Sequence, residues 1–240
     1  MSDEVLGGVE VYRAEPSGKS LGVVVLIHEI WGLVEHIRQV ADRFAASGFT
    51  VIAPDLLSSV GVTPKIGVEL MSMMIEPDEE KRLAHQTYLR ESLAPVRAPE
   101  FAEVALGMLT AVVDALEEQG HSRIAVLGFC FGGTYAYALA ARDARVVAAV
   151  PFYGTAPSND SIANMSCPIL AFYGEIDPPI MDDFPRVQAA MESFGIDFEA
   201  HVYPGVQHAF FNDTNRVRFD RAARDDAWAR SVAFLKQHLA

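Results

Sequence analysis

Apolar runs of four to seven residues alternate along the chain with longer stretches in which apolar positions recur every three or four residues. The first pattern suits strands buried on both faces and the second amphipathic helices. Their alternation predicts an α/β fold, a mostly parallel sheet with helices on both faces. Strands are expected at Val9–Tyr12 (an edge), Gly22–Ile27, Phe49–Ala53, Arg123–Gly128, Val146–Phe152, Ile169–Tyr173 and Phe198–Tyr203. A helix is expected over Val34–Ser47, through Ile37, Val40, Ala41 and Phe44, with Gly48 as its stop. Another spans Phe101–Glu118, with a stripe of Phe101, Val104, Ala105, Met108, Leu109, Val112 and Leu116. A terminal helix runs over Arg216–Leu239, turning Trp228, Val232, Leu235 and Leu239 inward. Leu56–Pro99 holds neither period for long. It is read as loop and short helices that cap the sheet, a usual place for substrate contacts. No repeat or Gly/Ser linker divides the chain, so residues 1–240 are expected to form one domain.

Composition narrows the partners. Nineteen Lys and Arg stand against 32 Asp and Glu, a formal charge of −13 that repels nucleic acid and anionic lipid. No apolar stretch reads as a membrane span. The start, MSDEVLGGVEVYRAE, lacks the basic and apolar regions of a secretory signal. Cys130 and Cys167 have no metal-ligand spacing, and without an export signal they are expected to be reduced thiols in a cytoplasmic protein. A small-molecule substrate remains. If it is an anion, local cations must overcome the global field.

Residues 123–134, RIAVLGFCFGGT, pass from a buried strand through Gly128-Phe129-Cys130-Phe131-Gly132 into a helical pattern. This resembles the G-x-S-x-G nucleophile elbow of α/β-hydrolases, with Cys in place of Ser. The turn is so sharp that side chains at 128 and 132 would meet neighbouring backbone, and the following helix start favours negative charge on sulfur. The plain alternative is an ordinary buried cysteine, the reading kept for Cys167. A thiol nucleophile needs a base, and the base a carboxylate that fixes its tautomer. In this fold the order is nucleophile, acid, histidine. Of seven histidines, only His201 and His208 follow a late strand. His201 falls inside FEAHVY, whereas His208 follows it in a turn-rich loop. His28 lies in the loop after Gly22–Ile27, while His36 and His85 sit on polar helix positions and His121 and His238 look solvated. In Gly174-Glu175-Ile176-Asp177, Asp177 stands where the acid belongs, with Glu175 as its competitor. The oxyanion donors should be the N–H groups of Phe131 and of Ile30, in the loop His28-Glu29-Ile30-Trp31-Gly32-Leu33.

These four segments (HEIWGL, GFCFGG, GEID and GVQHAF) together resemble the dienelactone hydrolases, over roughly Gly22 to the C-terminus. The resemblance implies an α/β-hydrolase sheet of about eight strands, a monomer, and no metal or other cofactor. It implies a hydrolase that opens an enol-lactone ring on a small carboxylate. By the same resemblance Glu29 holds the thiol's proton until substrate binds, and two arginines clamp the substrate carboxylate. Asn212 stands at one arginine position. For the other, the cap offers Arg82 or Lys81, with Arg90 and Arg97 also available. Arg82, Trp31 and Asn212 are therefore the expected substrate contacts. A thiolate leaves a tetrahedral intermediate more readily than an alkoxide, so enol esters, aryl esters or thioesters should be preferred to alkyl esters. A broader aryl esterase or thioesterase is the alternative in the same class. A silent ligand-binding relic or a redox-active thiol protein are the alternatives outside it.

Overall fold

Every residue of β3 (Val23–Ile27) is buried, yet alternate residues leave to opposite sides of the sheet. Val23, Val25 and Ile27 enter one apolar cluster, while Val24 and Leu26 enter the other. β5 (Ile124–Phe129) divides in the same way, with Ile124 and Val126 against Ala125, Leu127 and Phe129. This two-faced burial is what the continuous apolar runs anticipated. The computed structural model describes residues 1–240. The remaining strands are β1 (Ser2–Leu6), β2 (Val9–Ala14), β4 (Thr50–Pro54), β6 (Val146–Phe152), β7 (Ile169–Ile176) and β8 (Phe198–Gln207). They form one sheet ordered β1-β2-β4-β3-β5-β6-β7-β8, antiparallel at β1-β2 and β2-β4 and parallel elsewhere.

The helices are α1 (Glu35–Ala46), α2 (Pro64–Met74), α3 (Glu79–Ser92), α4 (Ala94–Arg97), α5 (Pro99–Glu118), α6 (Phe131–Arg142), α7 (Asn159–Ile162), α8 (Pro178–Met181), α9 (Phe184–Ser193) and α10 (Arg221–Leu239). Ile37, Val40 and Phe44 of α1 and Ala227 and Leu235 of α10 cover one face. Leu109 and Val112 of α5, Tyr137 and Leu139 of α6 and Val187 of α9 cover the other. No helix is long and apolar enough to cross a membrane.

Several expectations are corrected. The strand expected at Val9–Tyr12 is not an edge, because acidic SDEVL forms β1 outside it through backbone pairing, without an apolar pattern to announce it. Val104 faces solvent, and Val113 takes its place in the α5 stripe. His36 is not on a polar face. It is 7% exposed and lies 3.3 Å from Asp213, and burial pushes its pKa down to about 4. The cap contains two full helices: Thr63 caps α2 ahead of Pro64, and Asp78 caps α3 by accepting from Lys81 N–H at 3.1 Å. The terminal helix begins at Arg221, because Asp220 accepts from Ala223 N–H at 2.9 Å. Residues 216–218 form a turn instead.

Candidate active site

β5 lies between β3 and β6, and at its C-terminal end Cys130 takes φ 56° and ψ −113°, a strained conformation for a residue with a Cβ. Its N–H donates to Phe152 C=O at 3.0 Å, and its C=O accepts from Thr134 N–H at 3.1 Å. The glycines around it are forced by contact. A Cβ on Gly132 would fall on the carbonyls of Ile27 and His28, and one on Gly128 would fall on the Gly132 carbonyl. The start of α6 is therefore pressed against the end of β3. Phe131, first residue of α6, has no intrahelical acceptor for its N–H. Ile30 N–H takes no backbone acceptor in its turn. His28 shapes that turn from below. It is wholly buried, donates from Nδ1 to Glu29 C=O at 2.7 Å, and accepts Leu56 N–H on Nε2 at 3.1 Å.

The loops after β7 and β8 bring Asp177 and His208 together. His208 Nδ1 lies 2.6 Å from Asp177 Oδ2, with Asp177 6% exposed. Burial works against a charged His208, but hydrogen bonds to Asp177 and Cys130 outweigh it and push the imidazole up to about 10. Glu175, the competitor, is exposed and accepts Gly205 N–H at 2.8 Å. His201 bonds Glu199 at 2.6 Å, away from the cleft. Glu29 is 2% exposed, and burial raises its carboxyl to about 7 against the pull of Asn212, His208 and Arg218. Asn212 Nδ2 donates to Glu29 Oε2 at 2.5 Å, while its Oδ1 accepts from Thr214 N–H and Oγ1.

Cys130, Phe131, Asp177 and His208 line a cleft of about 480 Å³. The expected substrate contacts do not join them. Asn212 is 1% exposed and spends its amide on Glu29. Arg82 of α3 donates to the C=O of Glu76, ahead of that helix, at 3.0 Å, and Trp31 packs between the two apolar clusters. No residue of 56–99 lines the cleft. Among the lining residues that the sequence did not single out are Tyr153, directly after β6, and Arg218, the one Arg or Lys there. Arg218 reaches the cleft because α10 starts three residues after it. The capping pattern Asp220-x-x-Ala223 was the sequence signal for that boundary.

The family model for the dienelactone hydrolases matches residues 9–239. A Saccharolobus solfataricus protein, provisionally named as a carboxymethylenebutenolidase, is 31% identical over 95% of this chain and 94% of its own. Protein usf of Aquifex pyrophilus is 32% identical over 97% and 95%. A Klebsiella pneumoniae crystal structure, provisionally described as a dienelactone hydrolase, aligns with a TM-score of 0.78 at 27% identity, covering 95% of this chain and 93% of that one.

Proposed function

Because the chain belongs to the dienelactone hydrolase family and is a carboxylic ester hydrolase, we propose that it opens an activated ester, an enol lactone above all, through Cys130, His208 and Asp177. The observation that carries this reading is the 2.6 Å His208–Asp177 bond beside a strained Cys130 in one cleft. The Cys130 thiolate attacks the acyl carbonyl and forms a C–S bond. The carbonyl oxygen becomes an oxyanion received by the N–H groups of Ile30 and Phe131. Collapse breaks the ring C–O bond, and the enolate leaves with a proton from the His208 imidazolium. Acylation also neutralises sulfur, one of the two partners that keep the proton on His208. His208 is then less basic and suited to take a proton from the water that cleaves the thioester. Asp177 holds the imidazole throughout. Glu29, titrating near neutrality, exchanges the proton that Cys130 must give up. Arg218 is the cation placed to meet an anionic group on the substrate.

Turnover of activated lactones, aryl esters and acyl thioesters by the wild-type chain and by Cys130→Ala tests this. The variant should lose 10³-fold or more, on the order known for removing such a nucleophile, with its fold unchanged. Iodoacetamide should label Cys130 ahead of Cys167, which is buried and raised to about 11. Retained turnover in Cys130→Ala would overturn the reading.

A further inference from the structure

Asn212 is buried, and each of its polar atoms is committed. Its backbone closes turns on both sides, donating to Ala209 C=O at 3.2 Å and accepting from Asn215 N–H at 3.0 Å. Oδ1 takes two donors from Thr214, the backbone N–H at 3.0 Å and the hydroxyl at 2.6 Å. A backbone N–H can only donate, so the atom that faces it must be the amide oxygen. Nδ2 is thereby turned the other way, onto Glu29 Oε2 at 2.5 Å. Thr214 thus decides what Glu29 meets: a donor, and a neutral one. The two carboxyl oxygens are left unequal. Oε1 takes no hydrogen bond, yet it is not sealed from solvent as the hydroxyl of Tyr153 is. A neutral donor relieves part of the cost of a buried carboxylate without fixing its charge, as a cation at that distance would. Burial remains the larger effect and raises the carboxyl to about 7, so its protonated and ionised forms are both within reach.

We propose that Asn212 is a positioning residue for the reaction: pinned by Thr214, its amide holds Glu29 by Oε2 and leaves Oε1 as the oxygen that carries the exchanged proton. The inference rests on Glu29 as the group that exchanges the Cys130 proton. The charged or titratable groups around Glu29 are His208 and Arg218 from the segment after β8, with Cys130 and Tyr153 after β5 and β6. Burial keeps the Tyr153 phenol protonated. His28, pushed down by burial, bonds the backbone carbonyl of Glu29. None of these groups bonds the carboxyl of Glu29, and Asn212 alone does.

The experiment follows the carbon-13 signal of the Glu29 side-chain carboxyl against pH in glutamate-labelled protein, with Glu29→Gln identifying the signal. Loss of the donor in Asn212→Ala should move the midpoint up by about one pH unit. For an activated aryl ester kcat should fall roughly tenfold, part of the loss expected for removing a positioned acid–base group, with KM unchanged. Added to Glu29→Gln, Asn212→Ala should cost no further kcat, because a residue that acts through Glu29 then has nothing left to position. An unmoved midpoint, or a second loss that multiplies the first, overturns the inference. A moved midpoint with unchanged kcat overturns proton exchange at Glu29, and the inference with it, while leaving Cys130 as nucleophile. Should Asn212→Ala fail to fold, Asn212→Asp is nearly isosteric and keeps Oδ1 for Thr214. Its carboxyl must share a proton with Glu29, so the step near 7 should move up by about two pH units or more. A step that stays near 7 overturns the inference as well.

Discussion

At the scale of single residues, Glu29 separates activity from stability. Its carboxyl titrates near 7 rather than near 4.5, because burial penalises the charge more than Asn212, His208 and Arg218 relieve it. A folded value above the unfolded one means that the fold binds the extra proton. Stability is then fullest below about pH 4.5 and is lost as pH rises through about 7. Glu29→Gln keeps an acceptor for Asn212 but cannot take up a proton. We expect kcat to fall by about 10²-fold, the usual scale for a positioned acid–base group. The acidic limb of kcat/KM should move, and the melting temperature should rise most above pH 7. A near-normal rate with an unshifted limb would make Glu29 structural. Cys130, His208 and Asp177 could be picked out in the sequence because the elbow glycines and the order of loops are local signals. Asn212 was found but misread. Spacing from His208 set it where a cation was expected, whereas only the folded loop shows its amide turned inward onto Glu29.

At the scale of elements, strands buried on both faces announced themselves, since their apolar runs leave no other solution. β1 did not, because an exposed edge strand needs only backbone partners. His36 shows the same limit on a helix. Its place on α1 looked polar, and its burial depends on Asp213 arriving from the far end of the chain. That contact ties α1 to the loop carrying His208. With a folded pKa of about 4, the buried imidazole refuses a proton that the unfolded chain accepts at about 6.5. Stability should therefore be full above about pH 6.5 and fall as pH drops towards 4, by on the order of 1 kcal/mol per unit. Melting temperatures across that range should show a shallower acid slope for His36→Gln than for the wild-type chain. Equal slopes would place the acid sensitivity elsewhere.

At the scale of the whole molecule, the formal charge of −13 opposes the single Arg in the cleft. The long-range field is carried by exposed groups and is screened within about 10 Å at 0.1 M salt, whereas half-buried Arg218 is shielded less. Added salt should thus raise kcat/KM for a carboxylated lactone and leave a neutral aryl ester unchanged, read from steady-state rates between low and moderate ionic strength. A fall for the anion would mean that Arg218 governs its approach. The cap, expected to be a place for substrate contacts, contributes no residue to the cleft. A Cβ on Gly67 of α2 would fall on the carbonyl of Trp31, the residue after Ile30, the proposed oxyanion donor. Helix and loop thus meet backbone to backbone, with no side chain to cushion a movement. The cap is a brace rather than a lid: under the proposed mechanism, loosening it would leave the grip on the substrate untouched and misalign the Ile30 N–H that is to meet the transition state, a loss felt in turnover and not in binding.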